Sequence, residues 1–151
     1  MKKSSIILVL ILCTLIGCQD QAGKSELEDL KSQIKLQEQN KALVRNFALE
    51  EDQGSKDFID KYIDPDFVFH YPNGAEFKGL ENLRKSVERF QTAFPDIKHQ
   101  IEYQIAEDDL VATRYTRTAT HKREYMGVAP TGKQLKFTMN EICRIKEGKI
   151  T

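Results

Sequence analysis

Apolar and polar residues alternate along the second half of the chain. Between residues 97 and 106, the odd-numbered positions have apolar or ring-bearing side chains, namely Ile97, His99, Ile101, Tyr103 and Ile105. A period of two predicts a half-buried strand. Strand-like runs of this kind also occupy residues 66–71, 110–121 and 135–145. The pattern therefore predicts a meander of long antiparallel strands.

The first half of the chain has apolar residues at helical spacing instead. Ser25 and Glu28 form a capping box that predicts a helix start, and its apolar face broadens over residues 42–48. Further helices are expected after Ser55 and after Gly79. Three N-terminal helices followed by a meander predict an α+β fold, with the helices packed on the concave face of a strongly curved antiparallel sheet.

The N-terminus has the form of a bacterial export signal. Lys2 and Lys3 precede a short apolar core, and Leu15-Ile16-Gly17-Cys18 resembles the lipobox of bacterial lipoproteins. That resemblance implies removal of residues 1–17 and lipidation of Cys18, which would anchor the protein to a bacterial membrane outside the cytoplasm. An ordinary signal peptide or a signal anchor is the alternative. We then expect a tether over residues 18–24, a helical stalk over 25–41 and one domain over 42–151.

Composition narrows the class of partner. Twenty-three basic and twenty-three acidic residues cancel, and no basic stripe is present to follow a phosphate backbone. We therefore expect no nucleic-acid partner. Two of the three cysteines lie in the targeting segment, and we interpret the remaining one, Cys143, as a small buried hydrophobe.

One carboxylate interrupts an apolar strand face. With a period of two, Glu141 falls on the same strand face as five apolar residues, namely Leu135, Phe137, Met139, Cys143 and Ile145. A carboxylate in such surroundings is costly to bury unless it is paired, hydrogen-bonded or protonated. We interpret Glu141 as the polar centre of a cavity, with Phe137 among the residues that contact a ligand.

A series of motifs also occurs in a recognisable order. It comprises residues 42–70, Ala93-Phe94-Pro95-Asp96, Thr120-His121, residues 126–132 and residues 144–150. Their order and spacing resemble the SnoaL-like polyketide cyclase, or ester cyclase, family of the NTF2-like superfamily. The resemblance implies a conical α+β barrel around an apolar pocket. It also implies an intramolecular aldol closure that uses neither a metal nor an organic cofactor.

The same resemblance implies roles for individual side chains. It makes Glu141 the candidate general acid/base and His121 a second proton carrier or oxyanion donor. Arg114 is expected to orient a carbonyl group or to pair with Glu141. His99 and Tyr103 are candidate pocket donors, although His99 could equally be a core histidine and His121 an exposed residue at a strand end.

The resemblance favours an extracytoplasmic domain that binds a small, largely apolar carbonyl compound and transfers protons on it. A non-catalytic module that holds a ligand or a protein in the same cavity is the alternative, and a homodimer is compatible with either. Members of the family continue their last strand beyond the position of Thr151. Either the sequence is a fragment, or the last strand is cut short, which would leave an unpaired sheet edge and a pocket open on one side.

Overall fold

Three helices precede an antiparallel sheet, which confirms the expected α+β fold. The computed structural model describes the backbone of residues 2–55 and 57–151, and the side chains of residue 21 and of residues 23–55 and 57–151. The helices are α1 Lys2–Asp52, α2 Phe58–Tyr62 and α3 Leu80–Ala93. The strands are β1 Val68–His70, β2 Glu76–Lys78, β3 Lys98–Glu107, β4 Leu110–Thr120, β5 Gln134–Lys146 and β6 Lys149–Ile150.

Helix α1 begins well before the predicted capping box at Ser25. The sequence has no proline before Pro65, so nothing removes a backbone donor or forces a break. The chain divides into one unit over residues 1–36 and another over residues 37–151. The predicted signal peptide and Cys18 lie outside the residues whose side chains are described. Among the helices that are described, none is both long and apolar enough to cross a membrane.

The main sheet has the strand order β3-β4-β5-β6, and a separate hairpin is formed by β1 and β2. All these strand pairs are antiparallel. Strand β6 pairs with β5 only at Ile145 and Lys146. In the described part of the chain, no strand covers the rest of that β5 edge.

A β-bulge changes which residues of β3 face the helices. Ile101 pairs with Tyr115, whereas Tyr103 pairs with Arg114, so Glu102 is an extra residue in the ladder. Inward-facing residues are odd-numbered before the bulge and even-numbered after it. Tyr103 is consequently 55% exposed, which corrects the prediction of unbroken alternation through this strand.

The larger hydrophobic core lies where the end of α1 and α2 meet the sheet. Its most buried members are Val44, Phe58, Ile59, Tyr62, Ile63, Phe67, Val111, Cys143, Ile145 and Ile150. The rings of Phe47 and Phe58 lie 5.2 Å apart in this core. A smaller cluster joins the end of α3 to β4 through Ala93, Phe94, Ile97 and Ala119. These two clusters hold the helices over the inner sheet face.

The core contacts lead to a prediction about stability. Phe58 is 2% exposed, so we expect Phe58→Ala to lower the free energy of unfolding by about 3–5 kcal/mol through lost contacts and a cavity. Ile142 is 71% exposed, and Ile142→Ala should change the free energy by less than about 0.5 kcal/mol. Urea denaturation measures both variants, and equal losses would contradict this placement of the core.

Candidate active site

A cavity of about 190 Å³ lies between the β1–β2 hairpin, α3 and the inner face of β4 and β5. Its walls are mostly aromatic and aliphatic, and include Phe67, Phe69, Tyr71, Phe77, Leu83, Val87, Phe90, Tyr125, Met139 and Ile150. Its polar lining residues are Glu51, Ser86, Tyr115, Arg117 and Glu141. The cavity therefore combines a large apolar surface with a few polar groups, as small-molecule sites do.

A wider groove of about 480 Å³ adjoins this cavity along β1 and the open part of β5. The groove shares Phe67, Met139 and Glu141 with the cavity. It has fewer aromatic walls than the cavity. We therefore take the smaller space, with its aromatic walls, as the candidate site.

Glu141 lies on the cavity wall because the β4–β5 register places it opposite Thr113 on the inner face. The Tyr115 hydroxyl donates a hydrogen bond to one carboxylate oxygen. The Cys143 thiol donates to the other, with 3.3 Å between Sγ and Oε1. Burial and the charge of Glu141 raise the pKa of both Tyr115 and Cys143. Both donors therefore keep their protons, and Glu141 is the acceptor.

Two charged lining residues were not predicted from the sequence. Glu51 lies near the end of α1 with its side chain 7% exposed, and Arg117 lies on β4 with 3.8 Å between Nη2 and the Glu51 Oε2 atom. Burial raises the pKa of Glu51, against the opposing charges of Arg117 and His99. A signal was available, because Val44, Phe47 and Glu51 follow the spacing of one helix face.

His99 lies beneath the end of α1 and does not line the main cavity. Its Nδ1 atom is 2.6 Å from the Asp52 Oδ1 atom, and its backbone N–H also donates to the Asp52 carboxylate. Its side chain is 2% exposed. The Nε2 atom lies 3.6 Å from the Glu51 Oε2 atom and has no hydrogen-bond partner among the described residues. The predicted pocket donor is thus a buried residue directly behind a cavity carboxyl.

Arg114 and Tyr103 lie away from the cavity. Arg114 donates to Glu102, with 2.8 Å between Nε and Oε2, and to the Asn140 side chain. These residues form a polar network on the outer sheet face, so Arg114 neither pairs with Glu141 nor faces a ligand in the cavity. The bulge turns Tyr103 to the same outer side. The cavity arginine is Arg117, three residues further along β4.

His121 and Phe137 also lie off the cavity lining. The ring of His121 stacks on Phe94 with 5.1 Å between ring centroids, and its Nδ1 atom is 3.3 Å from the Thr131 hydroxyl. His121 is 6% exposed, so it is a buried residue of the smaller core and not an exposed strand end. Phe137 is 37% exposed, and Met139 takes the lining position on β5. The structure therefore does not bring His121 and Glu141 together.

The polar groups of the cavity support proton transfer. Glu141 is a hydrogen-bonded acceptor, Glu51 is a carboxyl whose raised pKa favours retention of a proton, and Arg117 is a cation that lines the same space. Groups of these kinds can donate a proton or a hydrogen bond to a carbonyl oxygen and accept a proton from the adjacent carbon. Among the side chains that are described, no group of three or more His, Cys, Asp or Glu could hold a metal ion.

Comparisons with known proteins agree with this geometry. The sequence pattern of the family described as SnoaL-like polyketide cyclase matches residues 42–151. The chain is 34% identical to AclR, a proposed hydroxylase from Streptomyces galilaeus, with a TM-score of 0.69 over 76% of this chain and 84% of AclR. It is 28% identical to IdmH, a proposed polyketide cyclase from Streptomyces antibioticus, with a TM-score of 0.64 over 74% of this chain and 86% of IdmH.

A more distant similarity concerns the fold alone. The chain is 16% identical to an LEH-like epoxide hydrolase from M. tuberculosis, with a TM-score of 0.63 over 76% of this chain and 75% of that protein. Proteins described by three different reactions thus share this architecture, so the reaction has to be argued from the side chains. No functionally curated protein matches the chain in sequence.

The raised pKa of Glu51 predicts a pH-dependent stability. The folded protein binds the Glu51 proton more tightly than the unfolded chain does, so stability falls as the pH rises from the ordinary value of 4.5 towards the folded value. Glu51→Gln removes this titration. We expect the variant to gain stability relative to the wild type as the pH rises above 4.5, which urea unfolding over a pH series measures. A constant difference between the two proteins would contradict the raised pKa.

Proposed function

Because the chain belongs to the SnoaL-like polyketide cyclase family, within the NTF2-like superfamily, we propose that it transfers a proton at the carbon next to a carbonyl group. The substrate is a small, largely apolar compound, and the reaction needs no cofactor. The complete reaction is an intramolecular aldol ring closure that begins with this proton transfer. The observation that carries the proposal is the carboxylate of Glu141 on the wall of an apolar cavity.

Glu141 acts as the general acid/base in this proposal. The cavity in front of it is walled by rings, which reduces the hydration that would stabilise its charge. The hydrogen bonds from Tyr115 and Cys143 fix the direction of the carboxylate. A fixed and partly dehydrated carboxylate can take a proton from a carbon acid and return it at a second position.

The walls and the polar residues define the class of substrate. Aromatic side chains such as Phe69, Phe90 and Tyr125 favour a flat, ring-containing compound. Arg117 lines the same space and offers a cation to an oxygen that becomes negative as the enolate forms. We therefore infer a flat carbonyl compound with few polar groups, oriented with its oxygen towards Arg117.

A non-catalytic binding module is the second candidate. The observation in its favour is the position of His121, which was expected to carry a second proton but packs against Phe94 away from the cavity. In that case the cavity would hold the same flat compounds and would leave them unchanged. A homodimer is compatible with either function and stays a prediction.

Hydrogen exchange separates the two candidates. Wild-type protein should speed the entry of deuterium from D₂O at the carbon beside the carbonyl of 2-indanone, 2-tetralone or phenylacetone, as followed by proton NMR. Glu141→Gln should lower the catalysed rate by about 10² to 10⁴-fold, because the amide cannot accept the proton. Glu102→Gln on the outer sheet face is the matched control and should keep the wild-type rate.

Two outcomes would contradict the proposal in different ways. If all three ketones bind but exchange no faster than in buffer, the protein is a binding module. If Glu141→Gln exchanges as fast as the wild type, the base is another residue.

The proposal also includes a membrane anchor at Cys18, supported by the lipobox sequence Leu15-Ile16-Gly17-Cys18. Acyl chains on this cysteine would hold the domain at a membrane surface outside the cytoplasm. In a bacterial host, we expect the wild-type chain to enter the detergent phase on phase partitioning and Cys18→Ala to stay in the aqueous phase. Cys143→Ala is the matched control, and detergent-phase recovery of Cys18→Ala would contradict the anchor.

A further inference from the structure

Three buried side chains form a line that ends at the cavity. Asp52 accepts hydrogen bonds from both the backbone N–H and the ring of His99. An ionised carboxylate can only accept, so the His99 Nδ1 atom carries a hydrogen. This contact fixes the orientation of the ring, and the Nε2 atom is directed to the side where Glu51 lies.

The next contact joins His99 to Glu51. The 3.6 Å between the Nε2 and Oε2 atoms is just beyond hydrogen-bond distance. Nε2 is fully buried and has no other hydrogen-bond partner among the described residues. The structure therefore places an unpartnered imidazole nitrogen beside the Glu51 carboxyl, without a hydrogen bond between them.

Glu51 also faces the same space as Glu141. Both line the main cavity, and both border a second, small cavity of about 20 Å³ together with His99, Tyr115 and Arg117. The two carboxyls differ in their partners. Glu141 accepts hydrogen bonds from donors that keep their protons, whereas Glu51 has an imidazole nitrogen and a guanidinium beside it.

We propose that Glu51 is the second catalytic acid–base group of the cavity, and that Asp52 and His99 are positioning residues that fix an imidazole nitrogen beside its carboxyl. The inference rests on the proposed function, because it assigns the group that completes that reaction. Glu141 takes a proton from the carbon next to the carbonyl group. Glu51 gives a proton to the carbonyl oxygen.

The step balances without any further reactant. The C–H bond breaks and its proton passes to the Glu141 carboxylate, while the electron pair forms the C=C bond of an enol. The carbonyl oxygen gains the proton of Glu51, which becomes a carboxylate beside Arg117. Return of a proton from Glu141 to carbon, and of the enol proton to Glu51, completes an exchange or an isomerisation.

The two carboxyls must be in opposite states for this step, so the rate should pass through a maximum with pH. Loss of the Glu51 proton causes the alkaline limb. The charged and titratable groups around Glu51 are Asp52 on α1, His99 on β3, Tyr115 and Arg117 on β4, and Glu141 on β5. The charge of Asp52 raises the pKa of Glu51, so removing that charge should move the alkaline limb to lower pH.

The test measures deuterium exchange into 2-tetralone by the full chain from about pH 5 to about pH 9. We expect a bell-shaped profile for the wild type. Glu51→Gln should lose about 10² to 10⁴-fold in kcat/KM and lose the alkaline limb, while Glu51→Asp should recover part of the rate. Asp52→Asn should keep both limbs and shift the alkaline one to lower pH, which a purely structural role would not do. Glu102→Gln is the matched control and should follow the wild-type profile.

The outcomes distinguish this inference from the proposed function. If the wild type and Glu141→Gln differ but Glu51→Gln keeps the wild-type rate and profile, Glu51 is not catalytic while Glu141 keeps its role. A wild-type profile without an alkaline limb also overturns the inference, and it needs no variant to fold. Absence of catalysed exchange in the wild type overturns both.

Discussion

The site depends on the burial of ionisable side chains beneath the end of α1. The side chains of Glu51, Asp52 and His99 are 7%, 8% and 2% exposed. A buried charge is costly unless it is paired with an opposite charge or hydrogen-bonded. Asp52 is hydrogen-bonded to His99, and Glu51 lies beside the Arg117 guanidinium. These partners come from α1, β3 and β4, so packing of the helix on the sheet and assembly of the polar cluster require one another.

Much of the fold could be predicted from the sequence because its local patterns are strong. Strand β5 alternates without interruption, and this regularity placed Glu141 on the inner face correctly. Strand β4 was harder to interpret, since each of its two faces mixes polar and apolar residues. Arg114 and Arg117 lie on opposite faces, and only the sheet register shows that Arg117 faces inward. A prediction from one strand at a time could not supply that register.

The rest of the site depends on contacts between distant segments. Glu51 continues the apolar stripe of α1, but a carboxylate on a helix is usually interpreted as solvent-exposed. Its burial follows from His99 and Arg117, which lie 48 and 66 residues further along the chain. His121 was misplaced for a similar reason, because Phe94 and Thr131 enclose it from two other segments. Sequence motifs identified the family, while tertiary contacts decided which of its polar residues meet in the cavity.

The extra residue at Glu102 makes the two halves of β3 differ in phase by one position. Deletion of Glu102 would restore regular pairing and would leave Tyr103 and Ile105 outside and Gln104 and Ala106 inside, because the ladder beyond the bulge is already regular. Ala106 would keep its packing against the core. A relative without the bulge is therefore one residue shorter here, and an alignment without a gap at this point assigns the inner and outer residues beyond it the wrong way round.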